Sequence, residues 1–243
     1  MKKPLVISIV LLVTVVFGSL IIDRVVYSMT MTKIENRLEA RGDIANPQVE
    51  VHGGSFLLQT SAGIYHDLHF HASRFRTSLD DILVEFQGVD ITVEQLHRLS
   101  KTKNRAENAT IKGKLTMESV QRIVDAKSPV ALTMGASDGR IVASAKIFHI
   151  PVSVAFHVEV VHGENPPAVT ISPNELWAGS QDTKIVGWKK WLDSLPSYTV
   201  RFEHMPVKTH AQITKIDALG IDLTIHADQI VFENGDTLTL SDH

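Results

Sequence analysis

Hydrophobic spacing changes character several times along the chain. An uncharged run of 18 residues, Leu5 to Ile22, comes first, with Lys2 and Lys3 before it and Asp23 and Arg24 after it. As a helix it would be about 27 Å long, against a hydrocarbon core of roughly 30 Å. From Val25 to Arg41 the apolar residues Val26, Met29, Ile34 and Leu38 approximate a 3.6-residue stripe. Lys33, Glu35, Arg37, Glu39 and Arg41 occupy the other side, and Gly42 is a helix stop.

After Pro47 the period becomes two. Val49 and Val51 form a short strand. In Ile64 to Phe75, the residues Ile64, Leu68, Phe70 and Ala72 alternate with Tyr65, Asp67, His69 and His71, and His66 falls on the apolar face. Asp81 to Val89 continues the alternation with Ile82, Val84 and Phe86, and Asn108 to Leu115 with Ala109, Ile111, Gly113 and Leu115. These are half-buried antiparallel strands. Thr116 then caps a helix whose stripe is Met117, Val120, Ile123 and Val124, stopped before Pro129. Val130 to Met134 and Arg140 to Phe148 flank the turn Gly135 to Gly139 as a hairpin.

His149 to His162 alternates most strictly. Ile150, Val152, Val154, Phe156, Val158 and Val160 would face one way over ~33 Å at about 3.3 Å per residue, long for a strand. Ile185 to Leu195 reads as an amphipathic helix carrying Trp188 and Trp191. Tyr198 to His204, His210 to Ile216 and Ile221 to Phe232 read as closing strands. The pattern therefore predicts a mainly β (α+β) protein. The long apolar faces suit an elongated antiparallel barrel-like or strongly curved sheet with a few helices, preceded by an N-terminal transmembrane or signal helix.

Composition narrows this picture. With 243 residues, 44% hydrophobic and 21% charged, the chain can build a core and is too apolar to be disordered. Its net charge of −3 gives no global basic field for nucleic acid. Cysteine is absent, which removes disulfides, thiolate catalysis and cysteine metal sites. The two lysines ahead of the first run predict a cytoplasmic N-terminus and an exported body. The run is long for a signal peptide and lacks an A-x-A-like cleavage site, which favours an uncleaved anchor over a cleaved leader.

Candidate chemistry is sparse. Gly135-Ala136-Ser137-Asp138-Gly139 matches the G-x-S-x-G pattern, but a nucleophile elbow needs a helix after the serine, and an alternating strand follows. His66, His69 and His71 cluster in one strand. With Asp67 they supply too few same-face ligands for a closed metal site, and an exposed polar face explains them. Asp80-Asp81 and Glu107 carry no second feature that would make them acid–base pairs. No P-loop or dinucleotide fingerprint is present. Asn108-Ala109-Thr110 is a glycosylation pattern without a eukaryotic context. Arg98, Lys101, Lys103 and Arg105 make a basic stretch between strands. Lys184, Lys189 and Lys190 surround the tryptophan helix, which is either an interfacial element or a packed surface helix.

The order of these features resembles the LmeA-like phospholipid-binding family of actinobacterial envelope proteins. The resemblance rests on Asp23-Arg24-Val25-Val26 leading a helix straight after the apolar run. It continues through Pro47-Gln48-Val49-Glu50-Val51-His52-Gly53-Gly54-Ser55-Phe56-Leu57-Leu58-Gln59, then Gly63 and the alternating Ile64 to Phe75. Thr116 to Val124, Leu195-Pro196 and Gly220-Ile221 extend it. Gly54-Ser55 departs from the aromatic-proline pair usual there, which bears on the local turn. The resemblance implies an elongated β-barrel-like domain, phospholipid binding in the cell envelope, and a link to lipoglycan or envelope-lipid metabolism.

These readings combine into one expectation. Residues 1–24 are an anchor or signal peptide, 25–44 an amphipathic stalk helix, and 45–243 a lipid-binding β domain on the outer face of the plasma membrane. Leu68, Phe70, Leu115 and Leu223 would line an apolar interior together with Val152, Val154 and Phe156, with Trp188 and Trp191 near an opening. The partners expected are a phospholipid or other acyl-chain ligand and a membrane, with no nucleic acid, cofactor, metal or catalytic residue. A structural scaffold with a solid core and a Ser137 hydrolase are the competing readings.

Overall fold

In the computed structural model, the described residues are 3–79, 81–100, 103–127, 131–147, 150–161, 168–178, 197–201 and 209–233. Their elements, in chain order, are α1 (Lys3–Glu39), β1 (Ile44–Ala45), β2 (Gln48–His52), α2 (Phe56–Ala62), β3 (Ile64–Leu79), β4 (Ile82–Arg98), β5 (Lys103–Thr116) and α3 (Met117–Lys127). There follow β6 (Thr133–Ser137), β7 (Arg140–Ile147), β8 (Ile150–Val161), β9 (Ala168–Ala178), β10 (Tyr198–Arg201), β11 (Thr209–Asp217) and β12 (Gly220–Glu233). The expected helix over Ile185 to Leu195, with Trp188 and Trp191, lies outside the described residues.

The strands form two antiparallel sheets. One runs β1-β3-β4-β5-β12-β11, with β2 also on β3, and the other runs β10-β9-β8-β7-β6. The sheets do not take the barrel-like form that the sequence pattern predicts. Among the described residues neither sheet closes on itself, and the long sheet ends at β1 and β2 on one side and β11 on the other. At the β2 edge a helix stands where a barrel would need a strand. Glu35 Oε1 accepts from Val49 N at 2.9 Å, and Tyr27 Oη accepts from Val51 N at 3.3 Å. Those two edge amides are thereby satisfied by α1, and the edge is covered. Met31 packs on Val49 and Phe56 beside them, with Val26, Tyr27 and Leu38 adding apolar contact.

The helix is continuous from Lys3 to Glu39, so the expected anchor and stalk share one rod. Its backbone is described from Lys3 and its side chains from Ser19 onward. Among the described residues no helix is long and apolar enough to cross a membrane.

Helix α3 couples the two sheets. Thr116 Oγ1 accepts from Ser119 N at 3.2 Å, the cap that the sequence predicts. Ser119, fully buried, accepts from Glu85 N at 2.7 Å on β4. On the other side Gln121 accepts from Met134 N at 2.6 Å and donates to Leu132 O at 2.7 Å, tying α3 to β6. Val120, Val124, Met134, Ile141, Leu176 and Ile221 pack into one core between helix and sheets.

Strict alternation breaks near one end of the long sheet. Pairing across β3, β4, β5 and β12 skips the row that would hold His66, Gln95, Glu107 and Gln229. Gln95 and Gln229 both have φ of 51°. The crease reverses which face the next residues occupy. Tyr65 packs on the α1–α2 cluster, and Leu96 packs with Ala106, Ala109, Ala227 and Ile230. His66, expected on the apolar face, is exposed instead. Its backbone N–H bonds to Gln59 Oε1 at 3.1 Å, while Gln59 Nε2 donates to His52 O at 3.1 Å. Gln59 is buried, so Gln59→Leu strands two backbone polar groups and is expected to cost about 2–3 kcal/mol. Urea unfolding measures this, and an unchanged midpoint would refute the assignment.

At the far end of the sheet Asp217 closes the β11–β12 turn. Its carboxylate accepts from Lys114 Nζ at 2.8 Å and from Leu219 N at 2.9 Å, and Lys215 Nζ lies at 3.1 Å. The Lys114 ammonium foremost, then Lys215, holds this carboxyl well below the ordinary aspartate range. A lowered folded-state value stabilises the fold above the unfolded value and loses that contribution as pH falls through the folded one. Stability is therefore expected to fall as pH drops below about 4, and Asp217→Asn to flatten that slope. Equal acid slopes for both proteins in a pH series of urea melts would contradict this.

Candidate functional site

Directly paired residues on adjacent strands share a face, so the register shows what each face of the long sheet presents. One row reads Val51–Leu68–Val93–Ala109–Ala227 from β2 to β12. The next reads Val49–Phe70–Ile91–Ile111–Ile225–Ala211 and reaches β11. Leu223 pairs with Gly113 and Ile213 one row further on, and Leu115 with Phe86 and Ile221 beyond that. The face is apolar across the sheet.

The opposite face is polar in the same rows. His52 pairs with Asp67, which pairs with Glu94, then Asn108 and Asp228. Glu50, His69, Thr92, Thr110, His226 and His210 make the next row. Such a sheet keeps one side in water and must cover the other.

Cover on the apolar face is uneven. Toward α1 and α2, Val49 and Phe56 are buried with Phe70 packed on them. Under α3, Leu223 and Ile221 are buried in the main core. Between these two clusters Leu68, Ile91, Val93 and Ile111 stay half-buried. This strip of branched aliphatic side chains, three strands wide, is the candidate site. It can hold hydrocarbon by area burial, and it offers no polar group that would direct a reaction.

The structure places the predicted lining residues in two groups. Val154, Phe156 and Leu223 are buried in the core under α3, with Leu115 and Val152 packed against it. Leu68 lies in the half-buried strip beside Val93, and Phe70, paired with Ile91, packs against the α1–α2 cluster at its border. Trp188 and Trp191 fall outside the described residues. A surface depression of about 550 Å³ runs along α1 from Ser28 to Ala40, and one of about 440 Å³ is bordered by Arg105, Glu107 and Asp228. None of the predicted residues borders either.

Sequence reasoning missed Ile91 and Val93, because it ended the strand at Val89, whereas β4 runs to Arg98. The signal was present in the alternation Val89, Ile91, Val93 against Asp90, Thr92, Glu94. It also placed Ile111 on a strand without assigning it a role.

The other candidates resolve simply. Ser137 ends β6 beside the two-residue turn Asp138-Gly139, both at positive φ, with β7 directly after. Its hydroxyl donates to Asp138 Oδ2 at 3.3 Å, and no helix follows it. His52, His69 and His71 each pair with a separate carboxylate, Glu50, Asp67 and Asp90, at 3.1, 3.0 and 2.6 Å. Among the described residues no group of three such side chains is placed to hold a metal ion. Neither the curated proteins nor the solved structures contain a match to this chain. The family model described as LmeA-like phospholipid-binding matches residues 23–228, spanning every element from the end of the apolar run to β12. The chain belongs to the LmeA-like phospholipid-binding family.

Proposed function

We propose that this chain is a non-enzymatic phospholipid-binding protein of the cell envelope, held to the outer face of the plasma membrane by residues 5–22. It carries or presents lipid for envelope and lipoglycan metabolism. The observation that carries the reading is the half-buried strip Leu68, Ile91, Val93 and Ile111, on a sheet whose other face is polar in the same rows. An acyl chain laid across it would gain about 0.8 kcal/mol for each methylene removed from water. Membership of a phospholipid-binding family supports the same ligand.

A solid-core scaffold is the second reading, favoured by the packed cluster around Val154, Phe156 and Leu223. Photo-crosslinking separates the two. The full chain in membranes containing a phospholipid with a diazirine on its acyl chain is expected to crosslink at β3, β4 and β5 within the strip. Absence of adducts there, with a lipid-free solvent extract of the purified protein, would favour the scaffold.

A further inference from the structure

Three features meet at one end of the long sheet. Asp23, the residue directly after the apolar run, accepts from Leu57 N at 2.7 Å, Ser55 Oγ at 2.8 Å and Phe56 N at 3.2 Å. These bonds, led by the Leu57 amide, hold the Asp23 carboxyl below its ordinary range and latch the run's exit to the start of α2. The other end of α2 is tied to the β4–β5 hairpin, where Arg98 N donates to Gly63 O at 2.7 Å. A short helix thus bridges the exit of the apolar run and the hairpin tip.

This end is both greasy and basic. Leu58 is 70% exposed and Leu99 55%, with Leu57 at 37% beside them. The hairpin segment from Arg98 to Arg105 contains Arg98, Lys101, Lys103 and Arg105 and no acidic residue, in a chain of net charge −3. Arg24, Arg98 and Arg105 are exposed; the acids near them among the described residues include Asp23, held by α2, Glu107 and Asp228, which border a depression with Arg105, and Glu233, opposite Lys103. The opposite end also exposes Leu83 and Leu219, and its turns carry Asp81 and Asp217, the latter paired with Lys114 and Lys215.

We infer that the α2 and β4–β5 end of the long sheet rests on an anionic phospholipid surface, with Leu57, Leu58 and Leu99 in the interface and Arg98 and Arg105 at head-group level. The inference rests on the reading that residues 5–22 sit in that same membrane. It adds a second, peripheral contact that fixes how the body stands. Surface lysines and arginines are drawn to anionic lipid, and exposed leucines beside them gain by leaving water. The contact also positions the apolar strip. Leu68 lies four residues from the start of β3, about 13 Å along the strand from this end. A lipid leaving the bilayer here meets the strip without crossing the polar face.

The chain lacks cysteine, so single labels can be placed cleanly. Leu58→Cys, Leu99→Cys, Leu219→Cys and Val13→Cys would each carry a polarity-sensitive fluorophore in the full chain. The chain is reconstituted in phosphatidylcholine vesicles with or without phosphatidylglycerol, with spin-labelled lipid as quencher. Labels at 58 and 99 are expected to be quenched several-fold more than at 219, more strongly with phosphatidylglycerol. Arg98→Glu with Arg105→Glu should remove that gain while position 13 stays quenched. If 58 and 99 match 219, or ignore phosphatidylglycerol, while 13 is quenched, the inference fails and the anchor stands. An unquenched label at 13 would overturn the anchor reading and the inference with it.

Discussion

Gly220→Ala is expected to be severely destabilising, costing on the order of 4 kcal/mol or more. Gly220 opens β12 directly after the β11–β12 turn, at φ of 154°, where side chains are rarely accommodated. A Cβ there would fall onto the carbonyl oxygen of Leu115 and within 2.9 Å of its carbon. Both are backbone atoms of the paired strand, so no rotamer change relieves the clash. Relief requires β12 to move away from β5, which breaks the ladder through Gly220–Thr116 and Ile221–Leu115. Ile221 is 2% exposed in the core under α3, and moving it opens that core as well. Helix α3 would also lose the bond from Met117 N to Leu219 O at 3.0 Å. A urea melt at neutral pH measures the loss. A midpoint within experimental error of the parent would show that β12 does not sit as described.

Gly220-Ile221 stood out in the sequence only through family likeness, because a glycine before an alternating strand looks like an ordinary turn residue. Other parts of the fold were legible from pattern alone. Strand β8 is Ile150–Val161 where His149 to His162 alternates, and α3 is Met117–Lys127 behind its Thr116 cap. Period and capping are local, so they survive folding unchanged. What was missed depends on neighbours. Helix α2, at seven residues, is too short to show a period, and it exists because Ser55 and Asp23 cap one end and Gly63 turns the other at φ of 69°. Strand β9 was not recognised because Pro173 interrupts its alternation, at the point where its pairing with β8 shifts register. The crease at Gln95 and Gln229 uses residues that sequence does not associate with positive φ. It reversed the faces of Tyr65 and His66. The site was half legible for the same reason. Alternation put Leu68 and Phe70 on an apolar face, but which apolar face stays partly open depends on where α1 and α3 lie.

That dependence gives the second large effect. Ile111→Glu is expected to reduce phospholipid bound to the full chain at least tenfold, about 1.4 kcal/mol. Ile111 closes the strip on β5, directly between Ile91 on β4 and the buried Ile225 on β12. An ionised carboxylate under an acyl chain must lose water without gaining a partner, which costs several kcal/mol and outweighs the methylenes it displaces. Because the parent side chain is half-buried, the carboxylate can stay hydrated when lipid is absent, so the loss falls on binding more than on folding. The adjacent residue supplies the control. Thr110 points to the polar face, where its hydroxyl lies 3.0 Å from His226 Nδ1, so Thr110→Glu adds the same charge one residue away on the side facing water. Phospholipid recovered per protein by solvent extraction should fall for the first variant and hold for the second, with circular dichroism and urea midpoints confirming that both are folded. Ile111→Ala, which shortens the contact without adding charge, should fall between them. Equal lipid in all four proteins would mean that the acyl chain lies elsewhere, and the open strip would then be no more than sheet surface.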